Sequence, residues 1–103
     1  MHSITDKAEV AIDFPDKAYI GGFGRDGRFE VRAEGDGMVL RLVRGSGERG
    51  EAEIHLHHFL LAAVIDDLAT ALAARPWDDA HRLLLQAAQK LAAALDATPS
   101  QKA

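Results

Sequence analysis

The chain has 103 residues, a net charge of −4, 48% hydrophobic residues and no cysteine. This length predicts one domain with a single core. The missing cysteine excludes disulfides, thiolate chemistry and cysteine-based zinc or iron–sulfur sites. The acidic balance disfavours nucleic-acid binding, which normally draws on an excess of Lys and Arg.

The sequence shows no candidate membrane segment or secretory signal. Its longest unbroken apolar run, 59–65, is far shorter than a membrane span, and residues 1–10 lack a basic segment followed by an apolar one. We therefore expect a cytoplasmic protein, and the Ala-, Arg- and Asp-rich composition suggests a bacterial one.

Alternating apolar residues predict short strands over about residues 9–56. The pattern is clearest from Arg28 to Glu34, where apolar and charged residues alternate without a break. Glycine-rich turns separate the strands, and 45–50 is expected to be a flexible loop. Residues 1–7 show no periodicity and are expected to be loose. The pattern predicts a four- or five-stranded antiparallel meander sheet with one polar and one apolar face.

The turn after Glu34 allows two registers for its hairpin. A Gly35-Asp36 loop places Glu30 opposite Arg41, whereas an Asp36-Gly37 loop places Arg32 there instead. Opposite charges across a strand pair stabilise it by roughly 0.2–1 kcal/mol and like charges destabilise it, although Asp-Gly is the commoner turn. The charges favour the Gly35-Asp36 loop.

Two helices are predicted after the strands, at about 57–74 and 78–97. The first carries an apolar stripe at helical spacing, made of Leu61, Ile65, Leu68 and Leu72, and further apolar residues widen it. The second is amphipathic and begins at Asp78 and Asp79, which suit a helix N-terminus. We predict a single α+β domain over 1–97, with the two-helix hairpin packed on one face of the sheet, and a disordered tail at 98–103.

The surplus of helical apolar surface predicts self-association. A small sheet covers only part of two apolar helices, and exposed leucine stripes are costly in water. A helix-mediated homodimer would cover this surface, and homodimers are the commonest oligomers.

Two sets of polar residues are candidates for binding. The first set consists of arginines on or near the predicted polar face, in a region without lysine, and arginine suits phosphate recognition. Acidic residues are interspersed among these arginines, which are Arg25, Arg28, Arg32, Arg41 and Arg44.

The second set is a pair of histidines. His55 and His57 are two apart on a strand, so both imidazoles share a face, as a metal site requires. A third ligand would be needed, and His81, Asp66 and Asp67 are candidates.

The order of elements from about Arg28 to Leu72 resembles the layout of the Whirly-like single-strand binders, in which a final strand runs into a dimerising helix. The resemblance implies single-stranded nucleic-acid binding on the sheet. This chain lacks the basic excess of those proteins and adds a second helix.

No catalytic residues and no cofactor are predicted. The favoured function is a small non-enzymatic interaction or regulatory module that acts as a homodimer and has a possible protein partner. The alternatives are single-stranded nucleic-acid binding on the arginine-bearing face and a histidine-based metal or small-ligand site.

Overall fold

Six strands precede two helices in the computed structural model, which describes residues 1–45, 50–76 and 78–97. The strands are β1 (His2–Ser3), β2 (Ala8–Phe14), β3 (Lys17–Phe23), β4 (Arg28–Glu34), β5 (Gly37–Val43) and β6 (Glu51–His57), and the helices are α1 (His58–Ala73) and α2 (Asp79–Asp96). This α+β order, with an antiparallel sheet followed by two C-terminal helices, confirms the predicted fold class. Most of the predicted 45–50 loop and the predicted tail lie outside the described residues.

The strands form a four-stranded sheet, in the order β1-β4-β5-β6, and a separate two-stranded ribbon of β2 and β3. All of these pairings are antiparallel. The expected pairing of β3 with β4 is absent from the described strands. Instead, His2 and Ser3 pair with the edge of β4, and the Ile4 amide donates to the Gly27 carbonyl at 3.1 Å. The first residues are therefore ordered against the sheet, contrary to expectation.

The β4–β5 hairpin has the register that the charges favoured. Glu30 lies opposite Arg41, and Glu34 opposite Gly37, so Gly35 and Asp36 form the two-residue loop. This prediction is confirmed. The favourable cross-strand charge pair outweighs the general preference for an Asp-Gly turn.

The core lies on the apolar face of the sheet, at the end where the ribbon meets it. Ile4, Phe23 and Leu42 are its buried residues, and they come from the N-terminal segment, the ribbon and the central strand. Partly buried apolar side chains surround them, namely Ala8, Val10, Phe29, Leu40 and Ala52. This end of the face is covered, whereas Val31 on β4 and Ile54 on β6 are exposed.

The chain divides into two compact units, Met1–Leu68 and Ala69–Ala103. The first contains every described strand and most of α1, and the second contains the end of α1 and all of α2. At the start of α2, the Asp78 carboxylate accepts a hydrogen bond from the His81 amide at 3.2 Å, which confirms Asp78 as the cap. Neither helix has a buried residue among those described.

Candidate functional site on the polar face of the sheet

The polar face is built by alternate residues of β4, β5 and β6. Antiparallel pairing brings residues on adjacent strands directly opposite one another on this face. Val39, at the centre, lies between Arg32 on β4 and His55 on β6. Although it belongs to the polar face, Val39 is only 3% exposed.

His55, His57 and Asp36 come together at one end of this face. The His55 Nε2 lies 3.3 Å from Oδ1 of Asp36, and the His57 Nδ1 lies 3.6 Å from Oδ2. The two imidazole rings stack with their centroids 4.5 Å apart and their planes 20° apart. All three side chains remain open to solvent, with exposed fractions of 37% for His55, 65% for His57 and 60% for Asp36. The cluster is therefore preassembled but accessible.

Asp36 is held in place by its backbone surroundings. It is the second residue of the two-residue β4–β5 loop, and its carbonyl accepts a hydrogen bond from the His58 amide at 3.0 Å. The adjacent Gly37 packs so closely on β6 that a Cβ there would overlap the Leu56 carbonyl oxygen and lie 2.8 Å from the His57 Cα. These contacts fix the loop against the end of β6, next to both histidines.

The sequence placed His55 and His57 on a shared face but missed Asp36. The three-residue group of possible metal ligands found among the described residues is Asp36, His55 and His57, so it does not include the candidates His81, Asp66 and Asp67. The hairpin register predicted from the sequence places Asp36 in the β4–β5 loop, next to Gly37. Only the β5–β6 register, which pairs Gly37 with His57, brings Asp36 to the histidines.

The arginines in the middle of the face are bonded to glutamates. Arg41 donates a hydrogen bond to Glu51 and lies 3.9 Å from Glu30. The bond to Glu51 raises the pKa of Arg41 above its ordinary value. Arg32 contacts Glu30 at 3.3 Å and Glu34 at 3.6 Å. This pattern is typical of a solvated surface laced with salt bridges.

The five predicted arginines lie in different structural settings. Arg28, Arg32 and Arg41 share the polar face by register, whereas Arg25 lies in the turn between β3 and β4. Arg44 lies against β3, where its Nε donates to the Gly22 carbonyl at 3.4 Å and its guanidinium carbon sits 5.7 Å from the Phe23 ring centroid. Arg44 and Arg41 also line one open pocket of about 390 Å³ together with Glu51.

Arg44 also lines an open groove of about 480 Å³ between the ribbon and β6. Apolar side chains such as Val10, Ile20 and Ile54 form much of its wall. This groove could not be predicted from the sequence, because it depends on where the ribbon meets the sheet.

The predicted α1 stripe is only partly covered. Leu61 and Leu72 are half-buried, while Ile65 is 41% and Leu68 48% exposed. Phe59, in the first turn, is 95% exposed. In the second unit, the end of α1 and the facing side of α2 line an open groove of about 330 Å³.

No protein-family model, curated protein or solved structure matches the chain. The resemblance in element order to the Whirly-like binders therefore carries no functional conclusion. No helix among residues 1–45, 50–76 and 78–97 is long and apolar enough to cross a membrane.

Proposed function

We propose that the protein is a small non-enzymatic interaction module of the cytoplasm that acts as a homodimer through α1. The observation that supports this proposal is the exposure of the α1 stripe, at Ile65 and Leu68 above all. Covering a large apolar side chain contributes roughly 1.5–3 kcal/mol. A helix that leaves such residues in water gains from any surface that covers them.

A second copy of the chain is the occupant that this stripe fits best. Its four positions, Leu61, Ile65, Leu68 and Leu72, are all aliphatic, so two identical stripes can meet without a like-charge contact. The acidic residues Asp66 and Asp67 lie elsewhere around the helix. In a two-fold symmetric dimer the same patch serves both partners, so each exposed side chain contributes twice.

Sedimentation equilibrium on the intact chain tests the proposal. We expect a species of twice the 11.1 kDa chain mass that dissociates reversibly on dilution. A mass of one chain at every concentration up to about 100 µM would contradict it, because a Kd above that concentration corresponds to less than about 5.5 kcal/mol of association free energy.

Nucleic-acid binding is less well supported by the geometry. Arg32 and Arg41, the central arginines of the polar face, already contact carboxylates. Phosphate would have to compete with those glutamates, and the net charge of −4 opposes its approach.

A further inference from the structure

We infer that Asp36, His55 and His57 form a binding site for a divalent first-row transition cation such as Zn²⁺. The site goes beyond the proposed dimer, because all three ligands belong to one chain and none of them is part of the α1 stripe. Two imidazoles and one carboxylate are a ligand set that such ions favour, whereas Mg²⁺ and Ca²⁺ favour oxygen ligands alone.

The spacing of the donor atoms fits a shared ion. One nitrogen from each histidine and one Asp36 oxygen all lie within 4.8 Å of one another. Zinc–ligand bonds of about 2.0–2.1 Å in a tetrahedral site place neighbouring donor atoms about 3.4 Å apart. The His55 nitrogen lies 3.3 Å from Oδ1 of Asp36 and the His57 nitrogen lies 3.6 Å from Oδ2, so each imidazole is near that separation from one oxygen of the carboxylate. The two stacked imidazoles have nearly parallel planes, so side-chain rotation is needed for both nitrogens to face one ion.

The scaffold around the donors is fixed before any ion arrives. His55 and His57 belong to a paired strand, and the Asp36 loop is tied to β6 and to the His58 amide. A preorganised ligand set loses less conformational freedom on binding than one carried by mobile side chains. Three protein ligands also leave a coordination position for water or for an anionic group of a further ligand.

A histidine–aspartate ion pair without a metal is the competing interpretation of the same contacts. In that case Asp36 simply accepts hydrogen bonds from the two imidazoles at the protein surface. The two interpretations differ in one measurable respect, which is whether removing Asp36 weakens the binding of an added cation.

The test is isothermal titration calorimetry of tag-free, chelator-treated protein with ZnCl₂ in a non-coordinating buffer. We expect one Zn²⁺ per chain, and we expect each of Asp36→Asn, His55→Ala and His57→Ala to weaken binding at least about tenfold. Excess Mg²⁺ should not compete. His58→Ala is the matched control, because it removes the neighbouring imidazole yet keeps the backbone amide that holds Asp36; its affinity should equal that of the unchanged chain.

The proposal is overturned if the unchanged chain binds Zn²⁺ no more tightly than the three variants do. It is also overturned if Asp36→Asn binds Zn²⁺ as tightly as the unchanged chain does, or if His58→Ala loses as much affinity as His57→Ala.

Histidine ring signals in NMR spectra provide an independent readout. Zn²⁺ should shift the signals of His55 and His57 and leave those of His2 and His81 in place. A variant that disrupts the dimer should still bind one Zn²⁺ per chain, so failure of the dimer and failure of the metal site are distinguishable.

Discussion

Replacing Leu68 by glutamate should dissociate the proposed dimer. Leu68 is 48% exposed, and complete burial of a leucine contributes roughly 1.5–3 kcal/mol. Covering its exposed half is therefore worth about 0.7–1.4 kcal/mol per copy, or about 1.4–2.9 kcal/mol for the two copies of a symmetric dimer. Burying two carboxylates adds a further cost. We expect the Kd of Leu68→Glu to rise at least about tenfold, measured by sedimentation equilibrium over a dilution series.

Ala63→Glu is the matched control for this experiment. Position 63 lies one helical turn from Asp67 and two from Thr70, on the polar side of α1. The same new charge on the same helix should therefore leave the Kd unchanged, while circular dichroism confirms that both variants keep their helices. An unchanged Kd for Leu68→Glu, or equal weakening by both variants, would refute the assignment of the interface to the stripe.

Three further predictions concern the sheet. Gly37→Ala should lower the free energy of unfolding in urea by about 1–3 kcal/mol, because the new Cβ would overlap a carbonyl of β6. Gly35→Ala is its control and should change that free energy by less than about 0.5 kcal/mol, because its Cβ would meet open space. Equal losses in the two variants would contradict the close packing at Gly37. Leu42→Ala should cost about 2–5 kcal/mol in thermal unfolding because the side chain is buried in the core, and a loss below about 1 kcal/mol would contradict that location. Immobilised single-stranded DNA should not retain the protein at low salt, because carboxylates already hold the central arginines; retention that Arg28→Glu abolishes would favour the nucleic-acid alternative.

Local patterns predicted the strands and one of their registers. Alternation located β4 and β5, and cross-strand charge identified Glu30 as the partner of Arg41. The position of His2 and Ser3 could not be predicted in this way, because a two-residue strand has no periodicity. Because His2 and Ser3 pair with β4, they occupy the position in the sheet where a continuous meander would have placed β3.

The candidate metal site was only half predictable for a similar reason. A spacing of two along a strand was enough to place His55 and His57 on the same face. Asp36 joins them through the β5–β6 register, and the long connection between those strands does not specify a register as a two-residue loop does. Val39 shows the same limit: alternation assigns it to the polar face, yet the structure buries it.

The hydrogen bond from the His58 amide to the Asp36 carbonyl makes the β4–β5 loop a substitute for a helix cap. The first turn of α1 contains no acidic residue, and an uncapped first turn frays readily. Displacement of the loop would therefore release the leading amide of the helix, so fraying at the start of α1 should report movement of the β4–β5 loop. Amide hydrogen exchange at His58 would then report whether a cation is bound beside the loop. We expect binding to increase the protection of the His58 amide and to leave the far end of α1 unchanged.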